Sequence, residues 1–228
     1  MTSNEDASPR GYSSPPCLAS EIDPSYFDPL AVDPQQAFDV VRWRKAERVR
    51  LLAERMDLEI ATRKAAADAI AVHLDALLSE RFTSIKGLTI SAWWPIKAEL
   101  DLRFWLAGLA ARGAQAALPV VIQRSAPLAF RAWTKESRME RGFWNIPVPA
   151  KDPEVVPDVT LSPLVGWDEA GFRLGYGGGY FDRTLAAISP GPLAIGVGLQ
   201  AAKIATIFPQ SHDIPMAVIV TEAGVQGE

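Results

Sequence analysis

The sequence contains a single cysteine, Cys17, among its 228 residues. One cysteine can form neither an intrachain disulfide nor a cysteine-rich metal site, and it fits a reducing compartment. The chain also lacks an apolar run long enough for a membrane span, and its first residues lack the basic-then-apolar layout of a signal peptide. We therefore expect a cytoplasmic protein that does not interact with a membrane.

A large excess of one charge is also missing. The chain has 23 Lys and Arg against 27 Asp and Glu, which gives a formal net charge of −4 and a pI near 5.3. This balance argues against a general nucleic-acid or anionic-membrane binder and leaves room for a local basic site. The expected partners are small molecules and not nucleic acids, and we take a monomer as the expected assembly.

The composition separates a short N-terminal arm from one large domain. Residues 1–32 are rich in Ser, Pro and acidic groups, which predicts a flexible arm. Residues 33–228 are long enough for a substantial core, and 48% of the whole chain is apolar. We interpret 33–228 as a single α/β domain.

The domain begins with two predicted helices. In "VDPQQAFDVVRWRKAERVRLLAERM", Asp33 is a candidate N-cap and Pro34 fits the first helical position. Apolar residues at helical spacing predict one face (Phe38, Val41, Ala46, Val49 and Leu52), and basic residues cluster around another (Arg42, Arg44, Lys45, Arg48 and Arg50). A second helix, "EIATRKAAADAIAVHLDALLSE", follows a break near Asp57.

After Gly87 the pattern alternates between strands and helices. "LTISAWW" reads as a strand, "LDLRFWLAGLAARG" as a helix closed by Gly113, and "AQAALPVV" as another strand. Further strands are predicted in "PLAFRAW", "DVTLSPLVGW", "PLAIGVGL" and the segment before "TEAG", with a helix in "FDRTLAAI". This alternation predicts a three-layer α/β fold with a mostly parallel sheet flanked by helices.

The segment "GFRLGYGGGYFDRTL", residues 171–185, is predicted to join a strand directly to a helix, at the sheet edge where ligands bind in such folds. Its glycines allow positive φ and a close approach of backbone amides to phosphate oxygens. Arg173 adds a guanidinium suited to phosphate. Asp182 is either the cap of the following helix or a ligand for magnesium. The residue order fits neither a Walker A loop nor a dinucleotide motif, so the residues alone indicate a phosphate-containing ligand.

The longer stretch "SPLVGWDEAGFRLGYGGGYFDRTL" resembles the signature of the 5-formyltetrahydrofolate cyclo-ligases, also called 5,10-methenyltetrahydrofolate synthetases. The likeness continues in the same order through "ISAWWPIKAELDLRFWLAGLAARGAQAALPVV", "FWNIPVP" and "GLQ…HDIPMAVIVTE". It covers roughly residues 42 to 224, and several matched segments in order are more specific than one motif.

The resemblance implies an ATP- and magnesium-dependent ligase that converts 5-formyltetrahydrofolate to 5,10-methenyltetrahydrofolate and releases ADP and phosphate. It also implies a fold similar to that of sugar-phosphate isomerases and CoA transferases. By the same resemblance, Arg173 is the catalytic residue that stabilises the transferring phosphoryl group.

The remaining site residues also follow from the resemblance. ATP is expected to contact Arg44, Arg48, Arg173, Leu174, Gly175, Tyr176, Gly177, Gly178, Gly179, Tyr180 and Phe181. The folate is expected to contact Trp94, Glu99, Trp144, Tyr176 and Tyr180, and magnesium to contact Asp182 and Asp213. Simpler interpretations stay open: Trp94 and Trp144 as core residues, Glu99 as a helix cap, and Asp213 as a turn residue.

The chain departs from the family pattern at several positions. Phe181 stands where a tyrosine is frequent, Gly178 where some members have lysine, Trp167 where phenylalanine is usual, and Ala217 where an aspartate is common. In the first helix, the basic pair of the family aligns either with Val40 and Arg44 or with Arg44 and Arg48. Two other function classes therefore stay open: an ATP-dependent enzyme of the same fold with another substrate, and a non-catalytic folate or nucleotide binder.

Overall fold

The computed structural model describes residues 34–151 and 153–226. The predicted N-terminal arm and the candidate cap Asp33 lie outside the described residues. The helices are α1 (Pro34–Asp57), α2 (Ile60–Arg81), α3 (Arg103–Gly108) and α4 (Tyr180–Ala187). The strands are β1 (Thr89–Ser91), β2 (Gln115–Val120), β3 (Ala129–Ala132), β4 (Met139–Arg141), β5 (Pro147–Pro149), β6 (Glu154–Val155), β7 (Val159–Pro163), β8 (Gly166–Trp167), β9 (Arg173–Leu174), β10 (Leu193–Val197), β11 (Val218–Thr221) and β12 (Gly224–Gln226).

Eight of these strands form the central sheet, in the order β12-β11-β10-β7-β1-β2-β3-β6. The five strands β11, β10, β7, β1 and β2 are parallel, whereas β12 at one side of the sheet and β3 and β6 at the other pair antiparallel. The prediction of a mostly parallel sheet is thus confirmed. From β1 the chain moves to β2 on one side and later to β7 on the other, so the strand order reverses between β1 and β7.

Helices cover both faces of the sheet. On β10, Ile195 and Val197 pack with residues of α2 and α3, whereas Ala194 packs with Leu51 and Leu52 of α1. Successive strand residues point to opposite faces, which explains this alternation. The result is the three-layer arrangement that the sequence predicts. Among the described residues, no helix has the length and apolar content that crossing a membrane requires.

The buried face of α1 differs from the predicted one. Phe38 is 65% exposed and Val49 is 43% exposed, although Leu52 is buried as expected. Arg44 and Arg55 are instead buried on this helix, at 8% and 7% exposure. The apolar-face prediction was wrong because these two guanidiniums find acceptors inside the protein, as described below.

The glycine segment also differs from its prediction. β7 does not run directly into the loop, because the hairpin β8–β9 intervenes and places Arg173 and Leu174 in a strand opposite Trp167 and Gly166. Gly113 closes the α3 region as predicted, with φ of 82° after a 3-10 turn at residues 109–112. The short strands β4, β5, β6 and β12 were not predicted.

Candidate active site

A cavity of about 550 Å³ lies at the carboxyl ends of β1, β2 and β7. Trp93 and Trp94 follow β1, Val121 follows β2, and Pro163 ends β7, and all four line it. The cavity therefore sits at the point where the strand order reverses, which is where open α/β sheets bind ligands, and its volume is in the range of ligand sites.

Nearly all of the predicted site residues meet in this one cavity. It is lined by Arg44, Arg48, Trp94, Glu99, Trp144, Arg173, Gly175, Tyr176, Gly177, Gly178, Gly179, Tyr180, Phe181, Asp182 and Asp213. Leu174 is the exception, because its side chain is 1% exposed in the core that packs under α1. In the two-residue strand β9, Arg173 therefore reaches the cavity and Leu174 fills the core.

The arginine end of the cavity, formed by Arg44, Arg48 and Arg173, contains two buried ion pairs. Arg173 contacts Asp182 at 2.7 Å, and their side chains are 4% and 12% exposed. Arg44 contacts Asp213, and its guanidinium also donates to the carbonyls of Ile207 and Phe208 at 2.9 and 2.8 Å. Protein acceptors alone therefore hold Arg173 and Arg44 in place.

The third arginine, Arg48, forms no direct ion pair with any carboxylate in the described ranges 34–151 and 153–226. Its Nε donates to the carbonyl oxygen of Gly175 at 2.7 Å. Burial, assisted by the nearby charge of Arg44 and opposed by Asp213, lowers the pKa of Arg48 to about 10, so the group is still cationic at neutral pH. Of the two possible registers for the first helix, Arg44 with Arg48 puts both cations on the cavity, whereas Val40 is buried and does not line it.

The glycine loop uses positive φ at two of its four glycines. Gly177 has φ of 99° and Gly179 has φ of 63°, whereas Gly175 and Gly178 lie outside this region. Gly179 is the N-cap of α4. Asp182 lies in the first turn of that helix, where it pairs with Arg173 and accepts from the Ile214 amide at 3.2 Å, so it is not the cap.

The carboxylate end of the cavity is formed by Trp94, Glu99 and Tyr176, and it contains a buried carboxylate in place of a group of arginines. Glu99 accepts the Tyr176 hydroxyl at 2.9 Å through Oε1 and the Ile96 amide at 2.9 Å through Oε2. It therefore does not cap α3. Burial raises the pKa of Glu99 to about 6, against the opposing effects of the Ile96 amide, the charges of Arg55 and Lys97, and the Tyr176 hydrogen bond.

Two residues at this end were missed by the sequence interpretation. Arg55 donates to the Tyr176 hydroxyl at 2.6 Å, and Lys97 lies 5.1 Å from the centre of the Tyr176 ring. Arg55 stands seven and eleven positions after Arg48 and Arg44, a helical spacing that could have placed all three on one face. Lys97 carried no comparable signal, but it and Ala98 have φ of 47° and 60°, a strained backbone that directly precedes Glu99.

Both tryptophans line the cavity wall, and Trp94 also packs against the core. Trp94 is half-buried, and the Arg103 guanidinium lies 4.3 Å from its ring centre. Trp144 is 45% exposed and meets Tyr180 edge to face, with 5.4 Å between ring centres. Both rings thus leave a surface on which a planar ligand can stack.

The acidic residues fit a magnesium ion carried by phosphates better than a metal held by protein alone. Within residues 34–151 and 153–226, no group of three or more His, Cys, Asp or Glu side chains could hold a metal ion. Magnesium at phosphate sites commonly uses one or two carboxylates together with phosphate oxygens and water. Asp182 and Asp213 on the cavity wall match that donor set.

The fold and the cavity define an α/β protein whose ligand site lies at the reversal point of a parallel sheet, between a group of arginines and a buried carboxylate. Residues 40–222 match the model of the 5-formyltetrahydrofolate cyclo-ligase family. The chain belongs to this family.

Individual relatives agree with the family match. The chain is 30% identical over 183 residues to 5-formyltetrahydrofolate cyclo-ligase of Mycolicibacterium smegmatis, across 76% of this chain and 91% of that protein. It is 31% identical over 148 residues to the enzyme of the same name from Escherichia coli K12, across 60% of this chain and 79% of that protein.

Solved structures agree as well. The NMR structure of Aquifex aeolicus 5,10-methenyltetrahydrofolate synthetase superposes with a TM-score of 0.68 at 25% identity, covering 81% of this chain and 92% of that one. The 5,10-methenyltetrahydrofolate synthetase of Mycoplasma pneumoniae, at 22% identity, shares the fold with a TM-score of 0.63 over 78% of this chain and 98% of that one.

Proposed function

We propose that this protein is an ATP-dependent ligase that closes 5-formyltetrahydrofolate to 5,10-methenyltetrahydrofolate, with release of ADP and phosphate. The observation that carries the proposal is the single cavity that joins three arginines to a buried carboxylate flanked by aromatic rings. Membership of the family and the names of the curated relatives support the same activity.

The proposed reaction has two steps. The formyl oxygen on N5 attacks the γ-phosphorus of ATP, ADP leaves, and an imidate phosphate forms. N10 then attacks the imidate carbon, the carbon–oxygen bond breaks, and phosphate leaves with that oxygen while N10 loses its proton. Negative charge builds between the phosphates in the first step, so the protein has to position two substrates and neutralise charge.

At the arginine end, we assign Arg44, Arg48 and Arg173 to the phosphates of ATP, together with the loop amides from Gly175 to Phe181. Arg173 is the residue that stabilises the transferring phosphoryl group. It is buried, and its ion pair with Asp182 keeps its guanidinium at the cavity, so the positive charge is already close to where the phosphoryl group would transfer.

At the carboxylate end, we assign Glu99 to N–H donors of the pterin ring. One oxygen of Glu99 accepts from Tyr176 and the other from Ile96, and each carboxylate oxygen can accept a further hydrogen bond. Trp94, Trp144, Tyr176 and Tyr180 would stack against the rings of the folate, and with the folate bound they would shield the reacting atoms from water.

We further propose that Asp182 and Asp213 hold magnesium at the phosphates, where the ion supplies charge neutralisation. Each carboxylate is paired with an arginine, so their arginine partners would turn toward phosphate oxygens when the cation is held. Each aspartate would exchange its arginine for the cation, and each arginine would exchange its aspartate for a phosphate oxygen. Every charged side chain would then still have an opposite charge beside it.

We also propose that the protein acts as a monomer in the cytoplasm. A chain with one cysteine fits a reducing compartment. Sedimentation of the purified chain at several concentrations tests the assembly: a single species of 24.8 kDa is expected, and a concentration-dependent larger species would contradict it.

Turnover of 5-formyltetrahydrofolate by the purified chain tests the proposal. With ATP and magnesium, near-ultraviolet absorbance of the methenyl product should grow, and one ADP should appear for each product formed. Tight folate binding without any product at high protein concentration would contradict ligase activity and favour the non-catalytic binder. ADP formation that depends on a different acceptor would favour an enzyme of the same fold with another substrate.

A further inference from the structure

Arg55 lies behind the carboxylate end of the cavity. It projects from α1 and is 7% exposed, and it does not line the large cavity. It instead lines a smaller cavity of about 80 Å³, which it shares with Glu99 and Trp93. Because Glu99 and Trp93 line both cavities, Arg55 is separated from a folate in the large cavity by one layer of side chains.

The hydrogen bonds give this layer a direction. A guanidinium can only donate, so the Tyr176 hydroxyl accepts from Arg55 at 2.6 Å and its own proton is directed to Glu99 at 2.9 Å. The other contact of Arg55 is weaker: its second terminal nitrogen donates to the Leu164 carbonyl at 3.3 Å. Its Nε is buried and has no hydrogen-bond partner in the described part of the chain. The Tyr176 hydroxyl is therefore the shortest polar contact that Arg55 makes.

Among the residues that the structure describes, Arg55 has no direct counterion. Within residues 34–151 and 153–226, no carboxylate forms an ion pair with it. A buried cation is costly unless an anion balances it, and Glu99 is the carboxylate that shares its small cavity and its tyrosine. Each of the two groups thus reduces the cost of burying the other.

We propose that Arg55 is a positioning residue for Glu99: it orients the Tyr176 hydroxyl toward that carboxylate and supplies the charge that balances it, so that the other acceptor sites of Glu99 face the folate. This inference rests on the proposed assignment of Glu99 to the folate. It adds to that assignment a residue that contacts neither substrate.

The other groups around Glu99 do not replace Arg55. Lys97, from the same loop, and Arg55, from α1, are the two cations whose charges lower the pKa of Glu99, and Tyr176 comes from the glycine loop. Glu54 lines the small cavity but is exposed and paired with Arg50. The large cavity is also lined by charged groups at its arginine end, namely Arg44, Arg48, Arg173, Asp182 and Asp213.

The test compares Arg55→Met, Arg55→Lys and Tyr176→Phe with wild type, in the full-length chain. Arg50→Met is the matched control, because Arg50 is an exposed arginine of the same helix. The first measurement is the NMR titration of the Glu99 carboxyl carbon without substrates, assigned with Glu99→Gln. Arg55→Met should raise the pKa of Glu99 from about 6 by about one pH unit, because a cation is removed from a buried carboxylate. Arg55→Lys should recover most of the wild-type value.

The second measurement is kinetic. Arg55→Met should raise the KM for 5-formyltetrahydrofolate about tenfold near pH 6.5, as expected for losing support of a hydrogen bond to a charged group. The KM for ATP and kcat should stay within about twofold, because the arginine end is untouched. In the double variant Arg55→Met/Tyr176→Phe, the increase should be much smaller than the product of the two single effects, since both changes break one chain of contacts.

The possible outcomes separate this inference from the proposed function. An unchanged Glu99 titration and an unchanged folate KM in Arg55→Met would overturn the inference, even in an active enzyme. If Arg55→Met does not fold, Arg55→Lys and Tyr176→Phe decide: a Tyr176→Phe variant that titrates like wild type overturns it. Since the titration needs no turnover, a wild type that is inactive contradicts the proposed function and leaves the coupling between Arg55 and Glu99 measurable.

Discussion

At the arginine end of the cavity, Arg44 and Arg173 each contact a carboxylate directly, whereas at the carboxylate end Glu99 meets Arg55 only through the Tyr176 hydroxyl. The first arrangement consists of paired charges, so a phosphate can take over an arginine while the aspartate takes a cation. The second leaves an anion that is only partly balanced. A partly balanced carboxylate such as Glu99 is suited to accept hydrogen bonds from the N–H groups of a neutral ring. Keeping it charged while it is buried costs free energy.

Removing Arg173 should give the largest effect of the changes considered. Arg173→Ala is expected to raise the activation free energy by about 2–4 kcal/mol, the range found for a lost charge-stabilising donor, and so to lower kcat. Folate affinity should stay within a few-fold of wild type. Stopped-flow absorbance of the methenyl product gives kcat, and calorimetric titration gives the folate affinity. Arg112→Ala is the matched control, because Arg112 forms an exposed pair with Asp75 away from the cavity.

The comparison between the two ends fails if Arg173→Ala abolishes folate binding and spares kcat. Such a result would place Arg173 on the folate and not on the phosphates. An equal loss of kcat in Arg112→Ala would show that the effect reflects a lost ion pair in general. Thermal unfolding of both variants separates a catalytic loss from a folding defect.

At the other end, Glu99→Gln should reveal the cost of the buried charge. The pKa of Glu99 rises on folding from 4.5 to about 6, so the native state binds its proton more tightly than the unfolded chain does. Stability contributed by this group is therefore present below pH 4.5 and is lost as the pH rises through 6. Relative to wild type, Glu99→Gln should gain about 2 kcal/mol of unfolding free energy between pH 4.5 and pH 7.5.

Folate affinity should change with pH in the opposite direction. Binding by wild type should strengthen as the pH rises through 6 and Glu99 ionises, whereas Glu99→Gln should bind weakly with no such trend. Chemical denaturation and folate titration across pH 4.5–7.5 measure the two effects, with Glu54→Gln as the exposed control. If stability and affinity rose together with pH in wild type, Glu99 would not be the group responsible.

The smallest effect is expected within the glycine loop. Gly177 has φ of 99°, so Gly177→Ala should lower the free energy of unfolding by about 1–2 kcal/mol. It should weaken ATP binding by a similar free energy. Gly175→Ala is the matched control, since its φ is ordinary and an added Cβ would meet no atom within 4 Å. The free energy of unfolding of Gly175→Ala should stay within about 0.5 kcal/mol of the wild-type value. Equal costs for the two variants would show that backbone conformation is not what the loop requires of Gly177.

Much of the fold could be predicted because its signals are local. The two N-terminal helices, the alternation of strands and helices after Gly87, and the glycine at position 113 each follow from short segments. The hairpin β8–β9 was not predicted, because its strands are two residues long and carry no alternating pattern. The edge strand β12 is similarly short, and its pairing depends on β11.

The site was predicted less evenly, and the reason is distance along the chain. The residues that the resemblance singled out in the glycine loop and at Glu99 line one cavity, and their contacts with substrates stay a prediction. The prediction of the buried face of α1 was wrong because the arginines of this helix are stabilised by partners far along the chain, which local periodicity cannot reveal. Arg44 meets Asp213 across 169 positions, and Arg55 meets Tyr176 across 121.

The long reach of these contacts from α1 has a consequence for how the protein is made. The acceptors for Arg44, at Ile207, Phe208 and Asp213, are synthesised 163 to 169 residues after it. Until then, a helix that will later be buried carries guanidiniums that only water can satisfy. Closing so long a loop comes late in folding, so the arginine end of the cavity would form in a nascent chain only after Asp213 has been added.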